Sequence, residues 1–210
     1  MRPYKMSYHI VVARYNESVT WLDSHAEHVI LFNKGDPLGR ANEIPLPNVG
    51  READTYLQYV LRYYESLPDV VIFTQAKISD HLGSDDVSHL LQFRDEALAE
   101  GKSIAGLYEW TADDTTDMGP RWNYRFGTYY LVNKYKDNQP VMFDDWFKKV
   151  ISPQYPQPLC FYPNALFAVK KELILNHDRA YYERLLAELQ HSSTPPEAHF
   201  FERSWFYIFD

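Results

Sequence analysis

Four short polar segments of this chain carry the residue types that bind phosphate groups or read a nucleobase. They are Arg14-Tyr15-Asn16-Glu17, Asn33, Asn48-Val49-Gly50-Arg51 and Gln75-Ala76-Lys77. An arginine guanidinium is a permanent cation that donates paired hydrogen bonds to a phosphate, and it also stacks on planar groups. Arg51 could therefore hold a phosphate or frame a planar base, while Arg14 and Lys77 add positive charge. These residue types favour the binding of a nucleotide-like anion.

The third polar segment also stands at the start of a helix. The apolar face of that helix follows at helical spacing and consists of Ala53, Tyr56, Leu57, Val60, Leu61 and Tyr64. Gly50 allows the backbone to approach a ligand closely, and a helix start offers free N–H groups and the positive end of the dipole. The alternative is an ordinary helix start, with Asn48 as the cap and Glu52 favoured by the dipole. The segment alone does not decide between these interpretations.

Three apolar runs rich in β-branched residues must position the polar segments. They predict strands at residues 8–17, 27–35 and 69–75, and Pro68 ends the helix before the third strand. This order predicts an α/β fold with a mostly parallel mixed sheet flanked by helices. Ligands bind such sheets at the carboxyl ends of the strands. The polar segments are therefore expected at one edge of one sheet.

The second half of the chain has a weaker pattern. The elements predicted there are helices at 84–101, 143–151, 178–190 and 197–209, a strand at 165–169, and a long irregular segment at 111–140. Long loops in compact domains often serve a function, so the irregular segment is a candidate for ligand contacts.

Composition limits the partners and the compartment. The chain has 210 residues, 45% of them hydrophobic, and a formal net charge of −8, which suits one globular domain. Nucleic acid is not an expected partner, because its phosphate backbone needs a basic face. The one cysteine, Cys160, excludes an internal disulfide and favours a reducing, cytoplasmic compartment. No transmembrane segment or signal peptide is predicted, and the aromatic ending SWFYIFD suggests one domain of a longer protein.

The order of these segments resembles the GT-A-type glycosyltransferases. In that fold the first strand ends in a Tyr-Asn loop, the second ends in a turn that reads the base, and a later apolar strand ends beside the phosphates. The matching stretches here are RYNE, Asn33, NVGRE, VVIFTQAK, ALFAVKKELI and FFERSW, spread over nearly the whole chain. The resemblance implies one GT-A-like domain, with residues 1–80 as the nucleotide-binding half and residues 81–210 as the acceptor half.

The same resemblance implies an activity and a set of binding residues. The implied activity is transfer of a sugar from a UDP-linked donor to a glycan acceptor. The residues that it implies around the donor are Arg14, Tyr15, Asn16, Glu17, Asn33, Gly50, Arg51, Gln75 and Lys77.

A closer resemblance is to a family of unknown function found in microbes and large viruses. Its motifs include RYNE, NVGREA followed by TYL, and ERSW, and this chain carries all of them. Large algal viruses encode domains of this size that build capsid glycans. The resemblance therefore implies a viral source, with the host cytoplasm as the compartment, as one expectation.

The chain departs from the GT-A pattern at the metal site. After the strand VVIF the acidic DxD motif, which holds Mg²⁺ or Mn²⁺ against the leaving diphosphate, is replaced by Gln75-Ala76-Lys77. In one interpretation Lys77 and Arg51 replace the metal as a cationic clamp. In the other, displaced ligands come from the downstream set Asp80, His81, Asp85 and Asp86. The acids at 85 and 86 also suit a plain helix cap.

Glu202 is the candidate general base that the resemblance implies. It would accept the proton of the acceptor hydroxyl, and its aromatic neighbours predict burial and a raised pKa. A structural pair with Arg203 is the alternative. Two other functions stay open: a carbohydrate-binding domain without catalysis, which the missing DxD favours, and a glycoside hydrolase. The hydrolase requires Glu17 and Glu202 in one crevice, within about 10 Å of each other.

Overall fold

The computed structural model describes residues 6–106, 110–112, 122–123, 128–129, 141–156 and 159–209. Side chains are described in these ranges except at residues 110–112, 122–123, 128–129, 141–142 and Pro163. Most of the segment 111–140 lies outside the described residues, so its irregular character stays a prediction.

Strands and helices alternate along the first half of the chain. The strands are β1 (Tyr8–Arg14), β2 (Val29–Asn33), β3 (Glu43–Pro45), β4 (Val70–Gln75), β5 (Ile104–Gly106), β6 (Trp110–Ala112), β7 (Trp122–Asn123), β8 (Thr128–Tyr129), β9 (Val141–Met142), β10 (Leu159–Phe161) and β11 (Phe167–Lys170). The α-helices are α1 (Arg51–Tyr63), α2 (Ser79–Leu82), α3 (Val87–Leu98), α4 (Phe143–Val150), α5 (Lys171–Ile174), α6 (Arg179–Ala187) and α7 (Glu197–Ile208). Short 3₁₀ segments lie at Thr20–His28, Tyr64–Ser66 and Pro163–Ala165.

Within the described residues, the main sheet has six strands in the order β3-β2-β1-β4-β11-β5. The first four strands of that order run parallel, and β11 runs antiparallel to both of its neighbours. The expected α/β fold with a mostly parallel mixed sheet is therefore confirmed at this level. Two smaller sheets, β10-β6 and β7-β8-β9, lie outside the main sheet.

Helices cover both faces of the sheet. Neighbouring residues of a strand point to opposite faces, so each strand contributes apolar side chains to both sides. Val11 and Phe73 contribute to a cluster with the apolar sides of α1, α6 and α7. Ile10 and Ile72 contribute to the other cluster, with α3 and the 3₁₀ segment Thr20–His28. The strands are buried on both faces, which explains their continuous apolar runs.

The predicted strands of the first half and the helix between them are confirmed as β1, β2, β4 and α1. The helices α3, α4, α6 and α7 and the strand β11 also match predicted elements, with ends that differ by a few residues. The three-residue strands β3 and β5 and the 3₁₀ segment after β1 were not predicted. They are too short, or too irregular, to carry a periodic pattern.

Candidate functional site

A cleft of about 340 Å³ opens at the carboxyl ends of β1 and β4. Its lining residues are Ala13, Arg14, Tyr15, Glu17, Lys34, Asn48, Arg51, Glu52, Gln75, Ala76, Lys77, Asp80, Ser193 and Thr194. In the part of the chain that the structure describes, three of the four predicted polar segments thus meet in one cleft. We refer to this space as the cleft.

The position of the cleft follows from the order in which the strands are laid down. From the central strand β1 the chain adds β2 and β3 on one side, and α1 then returns it to β4 on the other side. Loops that leave β1 and β4 therefore diverge and open a crevice between them. This is the topological switch point, where open α/β sheets bind ligands.

Arg51 is the first residue of α1 and has an unusual backbone. Its φ is 52°, and the φ of Gly50, the N-cap, is 65°. Asn48 lines the cleft instead of capping the helix, and no side chain bonds to the first N–H groups of α1 among the described residues. The alternative interpretation, in which Asn48 caps the helix, is therefore wrong in this detail. The helix start faces the cleft with its donors unused by protein side chains.

The side chain of Arg51 is available for a ligand. Its exposed fraction is 40%, and its Nε lies 3.5 Å from Oε2 of Glu52, at the limit of a hydrogen bond. An exposed pair of this length contributes little to stability. The guanidinium can therefore leave Glu52 for a better anion at small cost.

Gly50 is required by space as well as by its φ. A Cβ at this position would lie 2.5 Å from Cβ of Asp54 and 3.0 Å from Cβ of Leu189. The Gly50 N–H donates to the Ser192 carbonyl at 2.9 Å, which ties the start of α1 to the loop after α6. Gly50 itself does not line the cleft. Its role is to bring the helix start and that loop together.

Lys34, which the sequence analysis did not include in the site, lies beneath the start of α1. Its Nζ donates to Oδ2 of Asp54 at 2.7 Å, to the Arg51 carbonyl at 2.6 Å and to the Val49 carbonyl. The exposed fractions of the Lys34 and Asp54 side chains are 5% and 1%. Burial lowers the pKa of Lys34, and the Asp54 carboxylate opposes that effect. The ammonium is therefore committed to the protein.

Arg14 and Asn33 hold the floor of the cleft together. Arg14 is 5% exposed and donates to the carbonyls of Glu17, Tyr15 and Asp36 and to Oδ1 of Asn33 at 2.7 Å. Asn33 is 3% exposed and does not line the cleft. Its amide also donates to the Asp36 carbonyl, which leaves it inside the protein. The structure thus puts Asn33 behind the cleft and not among the groups that face a ligand.

The loop after β1 presents Tyr15 and Glu17 to the cleft. Tyr15 is 51% exposed, which is unusual for a large aromatic ring and leaves a face free for stacking. Glu17 accepts hydrogen bonds from the N–H groups of Tyr15 and Asn16 at 2.8 and 3.1 Å. Asn16 does not line the cleft, and its Oδ1 accepts from the Asp36 N–H at 2.9 Å.

The loop after β4 contributes Gln75 and Lys77. The Gln75 amide donates to the Asn164 carbonyl at 3.1 Å, so it connects the cleft to the 3₁₀ turn before β11. Lys77 forms an ion pair of 2.7 Å with Asp80, and the exposed fractions of the two side chains are 51% and 61%. The hydrogen bond that Lys77 donates to the Asp80 carboxylate raises the pKa of Lys77. Lys77 is therefore a charged, solvent-facing group at the cleft.

The predicted metal ligands Asp80, His81, Asp85 and Asp86 do not assemble around one point. Asp85 accepts from the N–H groups of Ile78 and Ser79, both at 2.8 Å, and Asp86 caps α3 through the Ser88 N–H. That hydrogen bond lowers the pKa of Asp86. Of the four, Asp80 is the residue that lines the cleft. Among the described residues no group of three or more His, Cys, Asp or Glu side chains could hold a metal ion.

Glu202 does not line the cleft, and the prediction that its pKa is raised is wrong. Oε1 accepts from the Asn164 N–H at 2.8 Å, and Oε2 lies 3.4 Å from the Arg203 guanidinium and 3.8 Å from His199. Burial alone would raise the pKa of Glu202, but these partners outweigh burial and lower the pKa to about 2. A carboxylate with this pKa is a weak base at neutral pH.

The 3₁₀ turn that Glu202 holds has a strained backbone. Asn164 and Ala165 have φ values of 68° and 53°, and both are non-glycine residues. The Gln75 amide donates to the Asn164 carbonyl, and the Asn164 N–H donates to the Glu202 carboxylate. The Tyr56 hydroxyl donates to the Ala165 carbonyl at 2.9 Å. Glu202 therefore acts here as a structural partner of the turn.

Comparison with known families gives one result. A model of the family described as "Protein of unknown function (DUF3431)" matches residues 10–210. The chain belongs to this family. No curated protein and no solved structure matches the chain. No helix among the described residues combines the length and the apolar character needed to cross a bilayer.

Several cleft residues of this DUF3431 member were missed in the sequence. Ser193 and Thr194 reach the cleft from the loop between α6 and α7, far along the chain from the other lining residues. No local pattern marks such a long-range contact. Lys34 did carry a signal, because it directly follows β2 as Arg14 ends β1 and Lys77 follows β4. A search for basic residues directly after buried strands would have found it.

Proposed function

We propose that the cleft binds the diphosphate of a nucleotide-linked sugar, with UDP as the expected carrier, and that the protein transfers the sugar to a glycan hydroxyl. The observation that carries the proposal is the placement of Arg51. Arg51 lines the cleft at the switch point of the sheet and is the first residue of α1, whose N-terminus has no side-chain cap. A cation and a helix dipole directed at one space both favour an anion there.

The basic side chains of the cleft differ in what they can offer a ligand. Arg14 and Lys34 are buried and direct their donors at protein oxygens. Arg51 and Lys77 are 40% and 51% exposed. Their carboxylate partners, Glu52 and Asp80, lie one and three positions further along the chain. Arg51 and Lys77 are therefore the cations that can turn to a phosphate.

In the proposed reaction, negative charge develops on the group that lies next to Arg51 and Lys77. The bond between the anomeric carbon and the diphosphate oxygen breaks, and the acceptor hydroxyl forms the new bond to that carbon. Negative charge then grows on the leaving diphosphate, where Arg51, Lys77 and the first N–H groups of α1 would stabilise it. Asp80 could bind a divalent ion only together with phosphate oxygens, so titrations with and without Mn²⁺ are both needed.

The acceptor proton needs a base other than Glu202. The carboxylates that line the cleft are those of Glu17, Glu52 and Asp80. Replacing each of these three by its amide, and measuring transfer at several pH values, identifies the base by the loss of the pH-dependent rate.

The two alternative functions fare differently. A hydrolase built on Glu17 and Glu202 has little support, because Glu202 does not line the cleft and its carboxylate is held by Asn164 and Arg203. A binding domain without catalysis shares every argument made for the ligand. Turnover is the measurement that separates it from a transferase.

The first experiment is calorimetric titration of the protein with UDP, GDP and CMP, with and without Mn²⁺. We expect UDP to bind, and we expect Arg51→Ala to weaken binding by at least about 10-fold, since a hydrogen bond to a charged group is lost. Arg62→Ala is the matched control, because Arg62 is an exposed arginine in the last turn of the same helix. It should leave the affinity unchanged.

The second experiment measures release of UDP from a panel of UDP-sugars in the presence of glycan acceptors. If UDP-sugars bind but no UDP is released under any condition, the protein is a binding domain without catalysis. The absence of binding by every nucleotide tested would reject the proposal. Equal effects of Arg51→Ala and Arg62→Ala would move the ligand away from the start of α1.

A further inference from the structure

Arg51 stands in a position that destabilises the folded protein in two ways. Its φ of 52° lies in the left-handed region, which residues other than glycine avoid. It is also a cation in the first turn of α1, where the helix dipole favours anions. A residue such as glycine would remove both costs. The surroundings must therefore hold the backbone of Arg51 in place.

The Lys34 ammonium contacts this backbone on both sides of Gly50. Its Nζ bonds to the carbonyls of Val49 and Arg51, the residues on either side of Gly50. Both carbonyls can converge on one ammonium because the chain between them turns through positive φ at Gly50 and Arg51.

Asp54 fixes the ammonium from the other side. Its Oδ2 accepts from Lys34 at 2.7 Å, and its Oδ1 accepts from the Gln190 amide at 2.6 Å. Asp54 is 0% exposed and lies on the first turn of α1, directly below Gly50. The carboxylate therefore locks Lys34 to the same turn whose backbone Lys34 holds.

We propose that Lys34 and Asp54 are positioning residues for ligand binding, which keep Arg51 in its left-handed conformation so that its guanidinium faces the anion in the cleft. Their part in binding rests on the proposed function, whereas their hold on the backbone of Arg51 does not. Lys34 acts through Arg51 and has no donor left for the ligand. This explains why a buried lysine lies directly beneath a cleft that favours anions.

The first test is a stability cycle that needs no ligand. Arg51→Gly should raise the melting temperature by about 1–3 °C, because it relieves the left-handed φ and the unfavourable charge. Arg51→Ala relieves only the charge and should raise it less. Because Lys34→Met alone would leave a buried carboxylate unpaired and could unfold the protein, we combine it with Asp54→Leu, an apolar pair of similar size.

In the Lys34→Met/Asp54→Leu background Arg51 is free to adopt an ordinary helical φ. Arg51→Gly should then bring no gain in melting temperature, or a loss, because glycine weakens a normal helix turn. A gain of the same size in both backgrounds would overturn the proposal, since the φ of Arg51 would then not depend on Lys34.

The second test measures the affinity for UDP and for inorganic pyrophosphate by calorimetry. Lys34→Met/Asp54→Leu and Arg51→Ala should each weaken binding by about 10-fold, and the three substitutions together should weaken it no further than the larger of the two effects. Losses that multiply to about 100-fold would show that Lys34 acts on the ligand by a route other than Arg51, which overturns the positioning role.

The two tests separate the failure of this inference from the failure of the proposed function. If the unmodified protein binds neither UDP nor pyrophosphate, the proposed function fails, and the stability cycle alone decides whether Lys34 holds Arg51. If UDP binds but the stability cycle shows no coupling, the proposed function stands and the positioning role is rejected.

Discussion

The cleft is lined by the lysines of two lysine–aspartate ion pairs that have the same N–O distance. Lys34–Asp54 and Lys77–Asp80 both measure 2.7 Å, yet the side chains of the first pair are 5% and 1% exposed and those of the second are 51% and 61% exposed. Burial lowers the pKa of Lys34, whereas the hydrogen bond with Asp80 raises the pKa of Lys77. Two ion pairs of equal N–O distance therefore have different roles. The buried pair shapes the site, and the exposed pair is free to meet a ligand.

The largest expected effect comes from breaking the buried pair on one side only. Lys34→Ala leaves the Asp54 carboxylate buried without its cation, which should lower the free energy of unfolding by about 3–5 kcal/mol. Urea unfolding followed by circular dichroism measures this loss. The variant Lys34→Met/Asp54→Leu should recover most of it. A loss below about 1 kcal/mol for Lys34→Ala would mean that the pair is not buried in solution.

The next prediction tests whether the Glu202 carboxylate contributes strongly to stability, as the buried pair does, or contributes little, as the exposed pair does. Its pKa falls from the usual 4.5 to about 2, which corresponds to about 3 kcal/mol of stability at neutral pH. Because the folded pKa is the lower one, this stability is complete above pH 4.5 and is lost as the pH falls towards 2. Glu202→Gln should destabilise the protein at pH 7 by an amount of this order.

The control for Glu202 is Glu172→Gln, which changes an exposed glutamate of α5. The unfolding free energy of the control should follow the unmodified protein at every pH, while that of Glu202→Gln should vary less between pH 4.5 and 2. We also expect Glu202→Gln to keep the affinity for UDP, because Glu202 does not line the cleft. A loss of transfer activity without a loss of stability would restore Glu202 as a base.

The smallest effect on stability is expected at the exposed pair. Lys77→Ala should change the melting temperature by less than about 2 °C, because an exposed pair contributes little. It should still weaken the binding of UDP by about 5-fold, since one cation of the cleft is lost. Lys102→Ala, which removes an exposed lysine outside the cleft, is the control. An unchanged affinity for UDP in Lys77→Ala would show that Lys77 does not bind the diphosphate together with Arg51.

The sequence predicted the parts of the fold that depend on local pattern. Ile10-Val11-Val12 and the run after Pro68 identify β1 and β4 because strands buried on both faces must be continuously apolar. The order strand, helix, strand then placed Arg14 to Glu17 and Gln75 to Lys77 at one sheet edge. The cleft lies there because sheet topology follows from few rules.

The sequence could not show how individual polar side chains are used. Asn33 and Asp85 have the residue types of ligands, but both bind protein groups. Arg14 and the Gly35 N–H bind Asn33 inside the protein, and the N–H groups of Ile78 and Ser79 bind the exposed Asp85. The aromatic neighbours of Glu202 suggested a raised pKa, whereas its three polar partners decide the direction. Two of these partners, His199 and Arg203, are near Glu202 in the sequence, and the pair with Arg203 was already the alternative interpretation. The hydrogen bond from the Asn164 N–H joins distant residues, and no sequence period encodes it.

One residue of the cleft floor, Ala76, has both of its backbone polar groups paired. Its N–H donates to the Ala13 carbonyl at 3.0 Å, one residue beyond the end of β4, and its carbonyl accepts from the Trp21 indole at 3.0 Å. Although it borders an open cleft, the Ala76 amide should therefore exchange its hydrogen as slowly as the central strands. The backbone of Ala76 is therefore not expected to shift when a ligand binds. We expect any adjustment to ligands of different size in the loop before α7, where the cleft residues Ser193 and Thr194 are exposed.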